Sequence, residues 1–475
     1  MISEFTRTPE RPIARATPLV VDTALIRKYG GNGPRYTSYP TADRFIEAFD
    51  DRAYGHYLGQ RDVGRLTRPL GLYLHVPFCD TLCFYCACNK IATRDRARAH
   101  RYAVAVEREI ELVGQALGRE CKVARMHWGG GTPTFLSEDD SAWLIGRLRE
   151  TFDFDPHGEF AIEVDPRRAG PDRIAQLASL GFNRLSVGVQ DFDPAVQRAV
   201  NRIQSIEETV AVIEAARRHG FGSINVDLIY GLPKQTVEGF EATLRQVIAC
   251  DPDRIALYSY AHLPALFKPQ RRIQEAELPQ PDVKLALLGN AIERFSEAGY
   301  VYIGMDHFAK PTDELAIAQA HGRLTRDFQG YSVRGDGDLI GFGVSAIGKV
   351  GPTYCQNVKQ QDEYQMLLDS GRLPVFRGIE LSHDDLLRRA VIQALSCQSA
   401  VEKESFEIAY LIEFDRYFAA EMKILEPFAG DGLVEMEDGW ILITPRGRLM
   451  VRAVCMVFDR YLRAAQERGG YSRVI

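Results

Sequence analysis

From residue 71 onward, short apolar runs alternate with longer stretches of helical periodicity. The apolar runs are "GLYLHVPF", "KVARMHWGG", "FAIEVDP", "RLSVGVQ", "SINVDLIYG" and "RIALYSYAHL". Strands that alternate with helices predict βαβ units and therefore an α/β fold with a parallel sheet. Six such units predict a sheet curled as a partial (β/α)6 barrel, and a doubly wound open sheet is the alternative.

The length of 475 residues predicts two or three domains rather than one core. Residues 1–68 are rich in Pro, Arg and Gly and are expected to form an N-terminal extension that acts as a lid. Residues 69–370 are expected to form the barrel with its own extension, in which "VYIGMDHFAK" is one further strand. Residues 371–475 are expected to form a mostly helical domain.

The C-terminal segment combines helical stretches with one hairpin. A single long helix is predicted over "EIAYLIEFDRYFAAEMKILEPF", and the hairpin over "DGLVEMEDGWILITP". This combination is typical of a winged-helix-like domain. DNA binding is the alternative role, but the predicted wing carries acidic residues, so a structural cap is the favoured interpretation.

The charge and the apolar pattern argue against several classes of protein. The formal net charge is −6 at pH 7, which gives no basic field for nucleic acid. No run of about 18 apolar residues occurs, so no membrane span is expected. The N-terminal segment lacks an uninterrupted apolar run, which argues against a signal peptide. Five of the nine cysteines are scattered singly, as in a reducing compartment, so a cytoplasmic protein is expected.

The other four cysteines are concentrated in "HVPFCDTLCFYCACNK", in the loop that follows the first predicted strand, "GLYLHVPF". Their spacing is C-x3-C-x2-C-x-C, from Cys79 through Cys83 and Cys86 to Cys88. Loops that follow the strands build the active sites of βα-barrels, so this position favours a functional role. A zinc site would need a second pair of ligands, and a disulfide redox pair would show C-x2-C alone in a thioredoxin-like setting. Thiolates in one tight loop favour an iron–sulfur cluster.

Three of the four thiolates are sufficient for such a cluster. Cys86 and Cys88 are separated by one residue, so their side chains are expected to diverge in an extended segment. One of the two is therefore expected not to be a ligand. A cluster held by three cysteines leaves one iron open to a substrate or cofactor.

The run C-x3-C-x2-C with an aromatic residue before the third cysteine resembles the signature of the radical S-adenosylmethionine (SAM) superfamily. Within it, the chain resembles the oxygen-independent coproporphyrinogen III oxidases over nearly its whole length. The matching stretches include "GPRYTSYPTA", "HVPFCDTLCFYCACNK", "HWGGGTPT", "GFNRLSVGVQDF", "NVDLIYGLPKQT", "GMDHFA", "FQGY" and "GVSAIG". A haem-binding chaperone of the same superfamily is the alternative, and Cys88 together with "GPRYTSYPTA" favours the enzyme.

The resemblance implies a [4Fe-4S] cluster on Cys79, Cys83 and Cys86, with SAM on the open iron. Reductive cleavage of SAM then gives a 5′-deoxyadenosyl radical, which takes a hydrogen from a propionate of coproporphyrinogen III. The propionate loses carbon dioxide and an electron and becomes a vinyl group. Two such oxidative decarboxylations give protoporphyrinogen IX, an anaerobic step of haem and porphyrin biosynthesis. A low-potential electron donor such as flavodoxin or ferredoxin, and a monomeric state, are implied as well.

The resemblance further implies two SAM molecules per chain. Residues expected around the first, on the cluster, are Tyr73, Gly130, Glu163 and Ile347. Residues expected around the second are Tyr85, Gly131, Thr132, Gln190, Arg202, Asp227 and Ala261. One departure is Tyr85, where other members often carry Phe. Arg35, among the aromatic and turn residues of "GPRYTSYP", is the candidate that holds a propionate, or else it fixes the N-terminal segment to the barrel.

A Gly-rich stretch late in the chain imitates a dinucleotide-binding fingerprint. The stretch is "GFGVSA", and such a fingerprint must follow a strand. The preceding "GDGDLI" is a poor strand, so the motif is not expected to bind a dinucleotide.

Overall fold

The computed structural model describes residues 19–61, 69–117, 121–335, 337–437 and 439–463. The first 18 residues of the expected N-terminal extension, and its last seven before the barrel, lie outside the described residues. The strands are β1 (Leu70–Val76), β2 (Phe78–Cys79), β3 (Ile91–Ala92), β4 (Lys122–Gly130), β5 (Asp153–Val164), β6 (Arg184–Gln190), β7 (Ser223–Tyr230), β8 (Arg254–Ser259), β9 (Val301–Gly304), β10 (His307–Ala309), β11 (Thr325–Asp327), β12 (Gly330–Ser332), β13 (Asp338–Phe342), β14 (Ile347–Val350), β15 (Thr353–Asn357), β16 (Val375–Glu380), β17 (Ala400–Glu402), β18 (Val434–Glu437) and β19 (Trp440–Ile443).

Helices cover the sheet and build most of the C-terminal region. They are α1 (Thr23–Tyr29), α2 (Asp51–Gln60), α3 (Arg96–Leu117), α4 (Glu138–Thr151), α5 (Pro171–Ser179), α6 (Pro194–Ala199), α7 (Ile206–Arg218), α8 (Val237–Ala249), α9 (Pro281–Glu297), α10 (Glu314–Ala320), α11 (Gln361–Asp369), α12 (His383–Gln398), α13 (Lys403–Tyr410), α14 (Phe414–Tyr417), α15 (Ala419–Gly430), α16 (Val451–Val457) and α17 (Arg460–Arg463). No helix among these described segments is both long and apolar enough to cross a bilayer.

The six predicted βα strands form the centre of a twelve-stranded sheet. Its order is β16-β15-β14-β13-β1-β4-β5-β6-β7-β8-β10-β9. The six central strands are β1, β4, β5, β6, β7 and β8, and each pairs in parallel with the next of these six along the chain. Successive neighbours without a reversal of order are what a partial barrel requires, whereas a doubly wound sheet reverses at its switch point. The predicted partial (β/α)6 barrel is therefore confirmed.

Alternation along the strands separates the core from the barrel interior. In β7, every second residue from Ile224 onward is buried, and the residues between them are half-buried. The half-buried set includes Asn225 and Asp227, which line an interior cavity near the carboxyl ends of the strands. The parallel strands thus place polar side chains at the barrel mouth while their apolar faces pack under the helices.

The segment expected to be a poor strand is in fact β13. Asp338–Phe342 pairs in parallel with β1 and leads into the antiparallel strands β14 to β16. The buried Asp338 carboxylate is neutralised by Arg61 just after α2, at 2.7 Å between Nε and Oδ2. A partner 277 residues away in the chain therefore permits an acidic residue in the middle of the sheet.

The predicted single strand over residues 301–310 is a hairpin. β9 and β10 pair in an antiparallel arrangement, and the turn between them holds Met305 and Asp306 at φ values of 35° and 80°. Asp tolerates this left-handed region better than most residues, so the turn forms without a glycine at its second position. The reversal places Asp306 beside the barrel mouth rather than along a strand.

The long helix predicted over residues 407–428 is broken into α13, α14 and α15. Leu411 adopts φ 55° and ends α13, and the Glu407 carboxylate accepts a hydrogen bond from the Phe414 N–H at 2.8 Å, near the start of α14. This local cap competes with a continuous helix. The predicted hairpin is confirmed as β18 and β19, and β17 joins it to give a three-stranded sheet.

The described part of the N-terminal extension packs against the C-terminal helices. Arg452 in α16 donates to the Gly33 carbonyl at 2.6 Å, and the Tyr36 hydroxyl donates to Asp459 at 2.9 Å. A backbone bridge joins Ile46 to Gly378 at the edge of the main sheet. The extension therefore contacts both the C-terminal helices and the edge of the main sheet.

Candidate functional site

The cysteine loop, residues 79–90, leaves the barrel directly after β1. The short parallel strands β2 and β3 close its base, and a turn brings the Cys86 N–H to the Cys83 carbonyl at 3.3 Å. All four thiols face one cavity of about 170 Å³ at the carboxyl ends of the strands. The described residues hold no group of three His, Cys, Asp or Glu side chains suited to a single metal ion. A cluster distributes its thiolates over several irons, so it does not require them to meet at one point.

The expected divergence of Cys86 and Cys88 is wrong. The segment turns instead of extending, and the two thiols interact. A hydrogen bond with the Cys88 thiol, followed by the influence of Lys90, lowers the pKa of the Cys86 thiol to about 6. Cys88 therefore lies beside the expected ligand set, at the boundary with a second cavity.

The glycine-rich turn after β4 holds the cysteine loop in place. The Gly131 and Thr132 N–H groups donate to the Val76 and Phe78 carbonyls, both at 2.8 Å. The Thr132 hydroxyl donates to the Cys79 sulfur at 3.6 Å. A Cβ atom at Gly131 would lie 2.8 Å from the Phe78 carbonyl oxygen, so only glycine permits this approach.

Arg202 lies deep in the cysteine cavity with one nitrogen unpaired. Its Nη1 is 3.7 Å from the Cys83 sulfur and 3.3 Å from Asp165, and its Nη2 donates to the Gly188 carbonyl at 2.5 Å. Its Nε is buried and has no hydrogen-bond partner among the described residues. A buried guanidinium with a free donor fits an anionic group, such as a carboxylate, in the cavity. The residues present thus fit a thiolate-held cluster with a ligand that carries a carboxylate.

Two carboxylates face the same cavity from β5 and β7. Glu163 contacts the His127 ring at 3.0 Å and accepts from the Gly130 N–H at 3.3 Å. Asp227 is half-buried and accepts from the Ser186 hydroxyl at 3.0 Å. Burial, with a smaller contribution from Glu163, raises the pKa of Asp227 to about 6. Two carboxylates beside a guanidinium with one free donor suit a ligand that carries both positive and negative charge.

A second cavity of about 550 Å³ adjoins the cysteine cavity inside the barrel mouth. The residues that line both cavities are Cys88, Gly130, Glu163, Ser186 and Asp227. The larger cavity is also lined by Tyr73, Ile347 and Arg35. The Tyr73 ring stacks on His127 with 5.9 Å between centroids. The volume of this second cavity lies in the range of small-molecule sites.

The expected SAM residues divide between the two cavities. The residues expected around the second SAM that line the cysteine cavity are Tyr85, Gly131, Thr132, Gln190, Arg202 and Asp227. Tyr73 and Ile347, expected around the cluster-bound SAM, line only the larger cavity, and Gly130 and Glu163 line both. Ala261 lines neither cavity.

Gln270 connects Ala261 to the cysteine loop, a role that no sequence motif indicates. Its buried Nε2 donates to the Ala261 and Tyr85 carbonyls, both at 3.1 Å, and its Oε1 accepts from Leu263. A glutamine in a polar segment resembles any surface residue, because only the fold reveals its burial. Gln190 carries a similar hidden feature: its φ of 70° and the register shift at the end of β6 turn its side chain toward the cysteines.

Comparison with protein families matches two parts of the chain. Residues 73–247 match the radical SAM superfamily, and residues 381–450 match the HemN C-terminal domain. The first match contains the cysteine loop and most of the cavity residues. The second contains α12 to β19.

Individual relatives cover nearly the whole chain. The oxygen-independent coproporphyrinogen III oxidase of Pseudomonas aeruginosa is 50% identical over 456 residues, which is 96% of this chain and 98% of that protein. The protein of the same name from Escherichia coli is 47% identical over 455 residues, again 96% and 98%. The solved structure of coproporphyrinogen III oxidase (HemN) from Escherichia coli, described as a radical SAM enzyme, superposes with a TM-score of 0.89 at 45% identity and covers 94% of this chain and 100% of that one.

Proposed function

The chain belongs to the oxygen-independent coproporphyrinogen III oxidase family of radical SAM enzymes, and from that premise we propose that it converts coproporphyrinogen III to protoporphyrinogen IX. Each of two propionates would lose a hydrogen atom, carbon dioxide and one further electron and become a vinyl group. The observation that carries the proposal is the junction of the two cavities at Cys88, Gly130, Glu163, Ser186 and Asp227. It would place a bound tetrapyrrole next to the cysteine cavity.

Three thiols of the loop would hold the cluster. Cys79 and Cys83 sit against Thr132 and Arg202, which stabilise negative charge on their sulfurs. Cys86 completes the set, and Cys88 would support it through the contact between their thiols. When bound, the cluster and SAM supply the radical chemistry that removes hydrogen from an unactivated carbon. The protein's part is to bind, orient and shield the reactants.

The distribution of the SAM residues between the two cavities supports exchanging the residue sets that were expected around the cluster-bound SAM and the second SAM. The molecule next to the cysteines would lie among Tyr85, Gln190 and Arg202, which surround the thiols. The other would lie toward Tyr73 and Ile347 in the larger cavity. In either place Glu163 and Asp227 suit the sulfonium and ammonium groups of SAM, and the free Nε of Arg202 suits its carboxylate. Two SAM molecules per chain remain part of the proposal.

Anaerobic turnover tests the function. The reconstituted enzyme is incubated with SAM, a low-potential reductant and coproporphyrinogen III, and product is measured as protoporphyrin after oxidation together with released carbon dioxide. We expect two carbon dioxide molecules per protoporphyrin, and no product from a Cys79→Ala variant. A wild-type enzyme that binds haem stably and forms no vinyl product would instead support the haem-chaperone alternative.

Other expectations about partners stay predictions. The low-potential donor protein, such as flavodoxin or ferredoxin, the monomeric state and the cytoplasmic location rest on the resemblance and on cysteine usage. No interaction with nucleic acid is expected from the net charge of −6.

A further inference from the structure

Arg326 presents unpaired donors where the larger cavity meets the C-terminal domain. It lies in β11 of the β11–β12 hairpin and lines that cavity, and its guanidinium rests over the Tyr331 ring, 4.8 Å from the centroid. Its Nε and Nη1 are buried, and neither donates a hydrogen bond to any residue that the structure describes. A buried cation without an acceptor is unfavourable, so such a group is retained where a ligand supplies the acceptor.

The surroundings of Arg326 carry more positive than negative charge. Arg35 lines the same cavity, and its Nη1 is paired with Asp306 at 2.9 Å. Arg452 lies nearby, and the charges of Arg35 and Arg326 help burial to lower its pKa to about 10. Asp306 is thus shared among cations and already engaged. This part of the cavity suits an anion.

The neighbouring His307 ring does not add a charge. Burial, with a smaller contribution from Arg326, lowers the pKa of His307 to about 4, so the ring is neutral at pH 7. Its Nδ1 contacts the Met305 carbonyl at 2.9 Å. The His307 ring packs edge-on against Tyr258 and Tyr331, and the three rings form an aromatic wall beside the guanidinium.

We propose that the Arg326 guanidinium binds a carboxylate of the tetrapyrrole substrate, with the pyrrole framework against the wall of Tyr258, His307 and Tyr331. This inference rests on the proposed function, and it assigns the grip on the substrate to a residue other than Arg35. Planar guanidinium binds carboxylate in a fixed orientation, whereas lysine offers a point charge. An anionic substrate cannot rely on the field of a chain with net charge −6, so a local cation must hold it.

The carboxylate of SAM is the other source of the same chemistry, and binding measurements separate the two. Anaerobic equilibrium dialysis gives the Kd of coproporphyrinogen III and, separately, the number of SAM molecules per chain. The variants are Arg326→Gln and Arg326→Lys. The matched control is Arg323→Gln. It removes an exposed charge three residues before Arg326 in the chain, and Arg323 lines neither cavity.

We expect Arg326→Gln to raise the substrate Kd at least tenfold, Arg326→Lys to raise it less, and Arg323→Gln to leave it unchanged. Cluster iron and SAM per chain stay at the wild-type values in all three. The melting temperature of Arg326→Gln without substrate is equal to or above that of the wild type, because two buried donors without acceptors are removed.

Three outcomes overturn the inference. An unchanged substrate Kd in both Arg326 variants shows that the residue does not hold the substrate. A loss of bound SAM with unchanged substrate binding assigns the guanidinium to SAM. A lower melting temperature with an unchanged substrate Kd shows a structural role. If Arg326→Gln does not fold, the substrate Kd of Arg326→Lys decides whether the residue holds the substrate. A wild-type enzyme without turnover overturns the proposed function, whereas an active one with normal Arg326 variants overturns this inference alone.

Discussion

The Tyr364 hydroxyl donates a 2.5 Å hydrogen bond to the carboxylate of Glu109, which joins α11 to α3 behind the barrel. The same carboxylate accepts from the Gly343 N–H and from Asn357, both at 2.7 Å. Glu109 is 2% exposed. It therefore fixes the segment between β13 and β14 that leads to Ile347 in the larger cavity.

Stability should fall as the pH rises across the titration of Glu109. Burial raises the pKa of its carboxyl from 4.5 to about 7. The folded chain then binds more protons than the unfolded chain between about pH 4.5 and 7, so the free energy of unfolding decreases over that window. Glu109→Gln should remove roughly 3 kcal/mol of this pH dependence of the free energy of unfolding. Denaturant unfolding at a series of pH values measures it, with the exposed Glu111→Gln as control. Equal slopes for wild type and Glu109→Gln would contradict the prediction.

Three cysteines should be required for the cluster and the fourth should not. Cys79→Ala, Cys83→Ala and Cys86→Ala should each fail to reconstitute four irons, because each removes a thiolate ligand. Cys88→Ala should retain the cluster and lose most activity, because its thiol contacts Cys86 from the boundary of the larger cavity. Iron content and Mössbauer spectra decide, with Cys250→Ala as a control outside both cavities. A Cys88 variant without a four-iron cluster would end the three-ligand model.

Removal of the Tyr73 ring should reduce the SAM stoichiometry from two to one. The ring lines only the larger cavity, where it stacks on His127. Tyr73→Ala should therefore weaken the outer SAM about tenfold or more while the cluster-bound molecule is still cleaved on reduction. Tyr73→Phe keeps the ring and loses only the hydrogen bond to His75, so it should bind close to two SAM molecules per chain. Equilibrium dialysis that finds one SAM on the wild type would contradict the prediction.

Arg35 should contribute more to stability than to the grip on substrate. Its ion pair with Asp306 is partly buried, with 33% and 22% of the two side chains exposed. A double-mutant cycle with Arg35→Gln and Asp306→Asn should give a coupling of about 1 kcal/mol in denaturant unfolding. Arg35→Lys should raise the KM for coproporphyrinogen III by about threefold or less. A tenfold rise would show that Arg35 holds a propionate, as the sequence led us to consider.

The central barrel could be predicted because its signal is local. Apolar residues at regular intervals, separated by turn residues, recur along β1 to β8. The cysteine loop follows the first strand. Loops after parallel strands meet at one edge, which favours a functional role for the cysteine loop. The resemblance implies that Glu163 and Asp227 contribute to the SAM sites beside it. The structure brings all of them to the adjoining cavities.

The remaining features depend on partners that are remote in sequence. Asp338 is tolerated in a central strand because Arg61 approaches from α2. Gln270 and Glu109 look like surface residues until the fold encloses them. The divergence expected for Cys86 and Cys88 assumed an extended segment, and the turn that replaces it has no glycine or proline to announce it. Burial of polar groups is a property of the assembled chain, which local periodicity does not report.

The backbone of Arg326 is held from the C-terminal side, because its carbonyl accepts a hydrogen bond from Gln393 in α12 at 3.1 Å. The segment before Arg35 is likewise held by Arg452 in α16. These two cations of the larger cavity, Arg326 and Arg35, therefore depend on helices encoded after the barrel is complete. Grafting experiments between relatives should respect this dependence: the barrel alone is not a portable catalytic module, and exchange of residues 381–463 requires exchange of residues 19–61 with them.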